Sequence, residues 1–316
     1  MVYRFEPFCQ DHIDSALDIF LKNYAEEQKE SKLLPAALLE NPEPIKNRLR
    51  QHADNTGIVV FKKNIMIAYL ITGSIFNFKN QKAALIPEFG HACIINDKKN
   101  IYYQMYMHIS TIWIKQKIHL HLIGHFAHDT ILKETLYQLG FGAFLAERLR
   151  NFSHVENLID AVIKYEQDPE KLVDIALEHN QYYPDSPIFI KKSIDRQNIL
   201  NNLKQHIANN DQFLVYYENN FPMGYFIIGD SAKQGEGFLL KNTNTAQIKS
   251  AFIKPEIRGK GIGKRLLQES ITWSKRKGFS RLFVEHETAN YYGGNFWRKH
   301  FKPYLNFSLR YIDNSI

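Results

Sequence analysis

The chain has 316 residues, of which 44% are hydrophobic and 13% aromatic, and its formal net charge is +7. This composition excludes a disordered chain, and the length suits two domains of ordinary size. No run of 18 apolar residues occurs, so the sequence predicts no membrane span. The first residues lack the apolar segment of a secretory signal, and Cys9 and Cys93 form no spaced framework. We therefore expect free thiols in a cytoplasmic protein.

The positive charge could attract nucleic acid or a polyanionic small molecule. The lysines and arginines are scattered along the chain, and no helix-turn-helix, zinc-finger or RNA-binding signature is present. We therefore expect no nucleic-acid partner. A nucleic-acid-associated regulator remains an alternative that charge alone supports.

Both halves of the chain show the same order of predicted elements, which indicates an internal repeat. In the first half, a helix over 43–52 precedes a β-hairpin over 57–71. In the second half, a helix over 194–208 precedes a hairpin over 212–228. Each hairpin is followed by a strand, a long helix, another strand and a last helix. Strands that alternate with helices predict an α/β fold with a mixed sheet.

In the first half, we expect the long helix over 101–115, a strand over 119–126 and a helix over 129–139 that ends at Gly140. A polar stretch near 150–156 follows this half and marks a domain boundary. The sequence therefore predicts domains 1–152 and 153–316.

A strand, a glycine-rich turn and a helix follow one another after residue 248. Three glycines alternate at Gly259, Gly261 and Gly263, and a helix over 261–277 begins within them. Bare N–H groups and the dipole at the start of this helix attract anions. The spacing matches neither a Walker loop nor a dinucleotide-binding fingerprint. From the residues alone, a glycine-rich connection that binds nothing remains an alternative.

The run Arg258-x-x-Gly261-x-Gly263, between a strand and an amphipathic helix, resembles the acetyl-CoA motif of GNAT-type N-acetyltransferases. The segment Glu285-His-Glu-Thr-Ala-Asn290, followed by Phe296-Trp297, resembles the family's fifth strand and next helix, and 305–312 resembles its closing strand. The resemblance covers 161–312. It implies an α/β fold of tandem GNAT-like domains, each with a mixed, mostly antiparallel sheet flanked by helices.

The resemblance also implies a site for acetyl-CoA as co-substrate, without a metal. Backbone groups of Phe252 and Ile253 would bond the pantetheine arm. Asn290 matches a position that often contacts the cofactor, and it fits a helix N-cap equally well. The pyrophosphate would lie on the turn and the first helical residues, which are Arg258, Gly259, Lys260, Gly261, Ile262, Gly263 and Lys264.

Where family members often have a tyrosine as general acid, this chain has Trp297, and an indole N–H is a poor acid. Tyr291 and Tyr292 are the nearest substitutes, although both also fit core or rim aromatics, and a thiolate can leave without a dedicated acid. Glu285 and Glu287 face the same way at the end of a strand, so either could take the proton of an amine or be a solvated carboxylate. We predict Glu285 and Tyr292 as the catalytic residues.

Residues 119–142 resemble the same late portion of the family, with Asp129 at the position of Asn290. The preceding Asn96-Asp-Lys-Lys-Asn100 has no glycine that would let a backbone approach a pyrophosphate. We therefore predict that 1–152 is a degenerate GNAT-like domain without a cofactor motif. Its histidines are interpreted as core or cleft residues rather than a metal site: His119, His121, His125 and His128.

Together these features predict an acyltransferase that moves an acetyl group from acetyl-CoA to an amine by direct attack in the C-terminal domain. The alternative is a non-catalytic acyl-CoA-binding regulatory module, in which the replacement of the family's tyrosine by Trp297 reflects the loss of acetyltransferase activity. The acceptor would be a small-molecule or peptide amine. The sequence does not indicate the oligomeric state.

Overall fold

The computed structural model describes residues 3–232, 238–240 and 243–316. Its strands and helices are, in chain order, β1 (Tyr3–Pro7), α1 (Ile13–Glu30), α2 (Ala37–Glu40), α3 (Glu43–His52), β2 (Gly57–Lys62), β3 (Ile65–Ile71), β4 (Ser74–Phe78), β5 (Gln81–Ile86), β6 (His91–Cys93), α4 (Lys98–Lys115), β7 (Leu120–Phe126), α5 (Thr130–Gln138), β8 (Gly142–Arg150), β9 (Ile163–Glu166), α6 (Val173–Tyr182), α7 (Arg196–Ala208), β10 (Gln212–Glu218), β11 (Phe221–Asp230), β12 (Thr245–Ile253), α8 (Ile262–Arg276), β13 (Arg281–Glu287), α9 (Tyr291–His300) and β14 (Lys302–Tyr311). Within the described ranges, no helix combines the length and the apolar character that a bilayer crossing requires.

The chain forms two compact units, Met1–Ala146 with Pro303–Ile316, and Glu147–Lys302. This division differs from the predicted domains 1–152 and 153–316 chiefly at the C-terminus. Strand β14, which resembles the closing strand of the second domain, pairs antiparallel with β7 of the first unit, with Leu305 opposite Phe126. Local sequence does not determine the partner of a strand, because cross-strand packing between distant segments decides it.

In the first unit, β1, β2, β3 and β6 form an antiparallel sheet, and β4, β5, β7 and β14 lie side by side in that order. Only the β5–β7 pair is parallel among the pairings described for this unit. Helix α4 buries Ile101, Met105, Ile109 and Trp113 in the core, at helical spacing. The predicted hairpin and long helix of this half are therefore confirmed.

The sheet of the second unit has the strand order β9-β10-β11-β12-β13, and its described pairs are antiparallel except β12–β13. Alternate residues of β10 and β11 point to opposite faces. Leu214 and Phe226 belong to the core that includes α8, whereas Phe213 and Tyr225 pack with α6 and α7. Helix α8 ends before Gly278, whose φ of +81° is the left-handed conformation that favours glycine. The predicted α/β class with a mixed, mostly antiparallel sheet is confirmed.

Strands β12 and β13 separate halfway along their length. Their parallel pairing runs from Thr245 opposite Arg281 to Ile248 opposite Val284, although the strands continue to Ile253 and Glu287. Next to the last pair, Lys249 is an extra residue in β12, because Ile227 pairs with Ser250 and Ile228 with Ile248. Such a bulge bends a strand. The two strand ends therefore diverge and open a cleft.

Candidate functional site

A cleft of about 670 Å³ lies in the second unit, where β12 and β13 separate. Its volume falls within the range of small-molecule and cofactor sites. One wall is the turn before α8, and the others come from β12, β13, α6 and the start of α9. Of the predicted site residues, the cleft is lined by Phe252, Ile253, Arg258, Gly259, Lys260, Gly261, Gly263, Lys264, Glu285, Asn290 and Tyr292. Ile262 does not line it and is buried in the core.

The turn before α8 requires glycine at two positions. Gly259 and Gly261 have φ of +78° and +90°, and Gly261 is the N-cap of the helix. A Cβ atom on Gly261 would lie 2.9 Å from Cγ2 of Ile159, whereas the space around Gly259 is open. The N–H groups of the first helical turn have no intrahelical acceptor, and Gly261 has no side chain to cap them. The tip of α8 therefore presents bare backbone donors to the cleft.

Basic residues surround this end of the cleft. Lys260, Lys264 and Lys299 all line it. The pKa of His300 is lowered to about 4, first by burial and then by the positive charges of Arg150, Lys299 and Lys264. A lowered histidine pKa is the signature of a positive potential as well as of burial. The helix dipole adds to this potential, so an anion is favoured here.

Arg258 lies across the opening between α6 and α9. Its guanidinium is 5.0 Å from the ring centres of both Tyr182 and Tyr292, and its Nε donates to the carbonyl of Ile253 at 2.9 Å. Cation–π contacts of this kind are worth about 0.5–2 kcal/mol each. The Arg258 side chain is thus held beside β12 by aromatic rings and by the strand itself.

Asn290 is the N-cap of α9. Its Oδ1 accepts from the Gly293 N–H at 2.9 Å and from the Tyr182 hydroxyl at 3.2 Å. The prediction of an N-cap is therefore confirmed. Because Asn290 also lines the cleft, its second predicted role, in contacting a cofactor, stays a prediction.

Glu285 and Glu287 both line the cleft from the separated end of β13. Between them, the ring of His286 is buried and accepts from Arg148 Nε at 3.0 Å. Burial is the main reason that the pKa of His286 is lowered to about 4, so this ring is neutral at neutral pH. The two carboxylates are thus the acidic groups at this edge, and Glu285 stays the predicted base.

The two candidates for a general acid differ in position. Tyr292 is 58% exposed, lines the cleft and lies beneath Arg258. Tyr291 packs edge-on against Tyr292 and does not line the cleft. Trp297 is only 6% exposed and packs against Phe226 in the core, so it forms part of the cleft floor. An indole N–H is a very weak acid, so Trp297 does not replace the tyrosine.

Sequence reasoning missed the contribution of α6. His179, Tyr182 and Tyr183 all line the cleft, and His179 stacks on Phe252 with ring centres 4.9 Å apart. Its Nδ1 is 2.8 Å from the Tyr225 hydroxyl, which is 3.2 Å from Ser250 Oγ. The pKa of His179 is lowered to about 3, mainly by burial and then by Lys192 and Arg258. The sequence contained this information, because His179, Tyr182 and Tyr183 are spaced by three and four residues and therefore lie on one face of α6.

The corresponding region of the first unit is filled by side chains. Strand β6 pairs with β3 and β5 pairs with β7, so a gap separates β6 from β7, which belong to different sheets, whereas β12 and β13 pair along the first half of their length. The buried ring of His91 bridges this gap, with Nε2 2.7 Å from the Gly124 carbonyl and Nδ1 2.8 Å from the Tyr102 hydroxyl. His121 is likewise buried and bonded, to the Tyr106 hydroxyl at 2.7 Å. In the described part of the chain, no three His, Cys, Asp or Glu residues are grouped so that they could hold a metal.

Residues 172–301 match the sequence model of the acetyltransferase (GNAT) family. No curated protein matches the chain. Among solved structures, a GCN5-related N-acetyltransferase from Sphaerobacter thermophilus has 11% identity and a TM-score of 0.59, over 98% of this chain and 95% of that one. A tandem GNAT protein of the clavulanic acid biosynthesis pathway has 10% identity and a TM-score of 0.50, over 98% of both chains. At such identities the likeness concerns the fold, and it agrees with the predicted tandem arrangement.

Proposed function

Because residues 172–301 match the sequence model of the GNAT family of acetyltransferases, we propose that the second unit transfers an acetyl group from acetyl-CoA to an amine. The main support is the tip of α8. There Gly259 and Gly261 leave backbone donors bare, and the tip faces a cleft that continues between the separated strands β12 and β13. A pyrophosphate suits the helix tip, and an extended arm suits the strand edge.

The proposed cofactor contacts follow from this geometry. The pyrophosphate would accept hydrogen bonds from N–H groups between Gly259 and Lys264, with the Lys260 and Lys264 ammonium groups nearby. The pantetheine arm would lie along β12 at Phe252 and Ile253, where β13 no longer pairs. The Nε–H group of Arg258 is hydrogen-bonded to the carbonyl oxygen of Ile253. When the pantetheine arm binds, the Arg258 side chain would move away or share this oxygen with a donor of the arm. Asn290 would contact the same ligand from the start of α9.

The reaction that we propose is direct attack by the amine nitrogen on the thioester carbonyl carbon. A carbon–nitrogen bond forms and the carbon–sulfur bond breaks, so that the products are an amide and the thiol of CoA. Glu285 would take the amine proton, because it lines the cleft at the end of β13. Tyr292 would donate to the leaving sulfur, since Tyr292 lines the same cleft and Trp297 has no acidic group.

We also propose that the first unit has no cofactor site, as a degenerate copy of the second. In place of an open space between separated strands it has His91, bonded to both Tyr102 and Gly124. The N-cap and first two residues of α4 are Asp97, Lys98 and Lys99, whereas those of α8 are Gly261, Ile262 and Gly263. Side chains at these positions keep a phosphate away from the backbone N–H groups.

Two measurements on the full chain test the proposal. A thermal scan with excess acetyl-CoA should raise the melting temperature, because a ligand at a hundredfold excess over Kd adds about 2.7 kcal/mol to the free energy of unfolding. Release of free CoA thiol should be stimulated by at least one member of a panel of primary amines. Tight binding without turnover on any amine would instead indicate a non-catalytic acyl-CoA-binding module. The absence of a thermal shift at millimolar acetyl-CoA would overturn both.

A further inference from the structure

A smaller cavity of about 230 Å³ adjoins the cleft of the second unit. It lies between α6, α7 and the strands β11 and β12. It shares four wall residues with the cleft, which are His179, Tyr183, Lys249 and Ser250. Its volume corresponds to about eight molecules of liquid water, so it suits a small molecule. Ser250 lies two residues before Phe252 on β12, so the smaller cavity adjoins the proposed path of the pantetheine arm.

The wall of the smaller cavity is basic. It contains Lys192, Lys249 and His206, and no Asp or Glu among the described residues that line it. Behind the wall, the fully buried carboxylate of Asp211 is 2.8 Å from Lys249 Nζ through one oxygen and 2.8 Å from His206 Nδ1 through the other. The single carboxylate of Asp211 therefore pairs with two basic groups.

Lys192 adds a positive charge that this carboxylate does not balance. Its ammonium lies 4.5 Å from the ring centre of Tyr183, and within the ranges that the structure describes it forms no ion pair with a carboxylate. The charge of Lys192 also contributes to the lowered pKa of His179. An anion in this cavity would therefore meet the charge of the Lys192 ammonium, whereas Asp211 already pairs with Lys249 and His206.

On the cleft side of Tyr183, the end of β13 carries two carboxylates. Glu285 and Glu287 line the cleft, and Tyr183 belongs to the walls of both cavities. Burial raises the pKa of Tyr183, and the negative charge of Glu287, with a smaller contribution from Glu285, raises it further. Across Tyr183, the site thus changes from carboxylates to the Lys192 ammonium. A molecule that spans it needs a positive or proton-losing group at one end and a negative group at the other.

We propose that the smaller cavity holds an anionic group of the acetyl acceptor, so that the acceptor is a small amine that also has a carboxylate or a phosphate. This inference rests on the proposed function and names the substrate class of that same site. The anion would contact Lys192 and His206, and the amine would point into the cleft. There its proton passes to Glu285 while the nitrogen bonds to the acetyl carbon and CoA leaves as the thiol.

Matched pairs of amines test the substrate class on the full chain with saturating acetyl-CoA. Each L-amino acid is compared with its carboxamide, and O-phosphoethanolamine with ethanolamine, by the rate of thiol release. The anionic member should have a kcat/KM at least tenfold higher in one of the two series, and the series that responds identifies carboxylate or phosphate. Calorimetric binding of the same amines to the CoA-saturated protein gives a second reading that needs no turnover.

The variant Lys192→Gln should lower kcat/KM for the preferred anionic amine about tenfold relative to kcat/KM for its neutral partner. Lys191→Gln, next to it and outside the cavity wall, is the matched control and should have no effect. Equal kcat/KM within every pair, or equal effects of the two lysine variants, would overturn the inference and leave the proposed function standing. No turnover on any amine would contradict the proposed function, and calorimetry would then still decide whether the anionic members bind more tightly.

Discussion

The Lys98 ammonium pairs with the Asp129 carboxylate in the first unit, and both side chains are largely buried. Lys98 is the first residue of α4, and Asp129 is the N-cap of α5. The ion pair therefore closes the space between the starts of two helices. In the second unit the N-caps of the corresponding helices, Gly261 and Asn290, both line the open cleft.

This contrast predicts one CoA per chain. A phosphate in the first unit would have to displace Asp129 from Lys98, and the desolvated carboxylate that is left would be costly. Isothermal titration of the full chain with CoA should therefore give a stoichiometry near one. A stoichiometry of two, with a second site mapped to the first unit, would show that the internal ion pair does not exclude the cofactor.

Gly259→Asp should abolish acetyl-CoA binding without unfolding the chain. Gly259 is exposed with open space around it, so the variant adds left-handed strain of about 1 kcal/mol and a negative charge at the proposed pyrophosphate site. Gly261 is a poorer choice, since any side chain there meets Ile159. Isothermal titration calorimetry measures the loss of acetyl-CoA binding.

Gly278→Asp is the matched control, because Gly278 has a φ of +81° and open surroundings at the opposite end of α8. It should lose a similar amount of stability and keep full affinity. If Gly259→Asp and Gly278→Asp bind acetyl-CoA equally, the pyrophosphate does not lie on this turn.

Glu285→Gln should lower kcat about a hundredfold, the lower end of what a positioned general base contributes. The substitution keeps the size of the side chain and removes its proton-accepting charge. Binding of acetyl-CoA, measured by calorimetry, should be unchanged. Glu287→Gln is the control on the same strand face, and an effect of equal size there would mean that the two carboxylates act only through their charge.

Tyr292→Phe should reduce kcat by less than Glu285→Gln. The variant keeps the ring beneath Arg258 and removes only the hydroxyl, and a thiolate leaves readily with water as the proton donor. Tyr291→Phe, outside the cleft, should behave as the parent. If the Tyr292 variant has the full parental rate and pH profile, the reaction uses no acid at this position.

The free energy of unfolding should fall as pH is lowered from about 6.5 towards 4. Burial lowers the pKa of His91, His121 and His125 to about 4 in the folded chain, against 6.5 for an exposed ring. The unfolded chain therefore takes up protons first, so the stability that each neutral ring provides is complete above pH 6.5 and is lost below it. Each can account for up to about 3 kcal/mol over this range.

Urea unfolding at several pH values between 7 and 5 measures this slope. His125→Gln should reduce it, since the buried ring that resists protonation is gone, whereas His154→Gln at an exposed position should not. A free energy of unfolding that is constant between pH 6.5 and 5 would show that these rings are protonated in the folded protein.

Several features were predictable from local sequence, because local physics determines them. Periodic apolar residues predicted the hairpins and the helices α3, α4, α5 and α8 to within a few residues. Gly261 and Gly263 predicted an uncapped helix tip, since only glycine tolerates the φ of +90° at Gly261 without strain. The resemblance to the family motif could be recognised from the order of these residues along the chain alone.

Other features depended on contacts between distant segments. The partner of β14, the separation of β12 from β13, and the meeting of Asp211, Lys249 and His206 all join residues far apart in sequence. No local pattern encodes such pairs, because their energy arises only when packing removes both partners from water. Sequence alone therefore predicted the glycine-rich turn at the start of α8, and only the tertiary structure placed Tyr183 on the walls of two cavities, with Glu285 in the larger one and Lys192 in the smaller one.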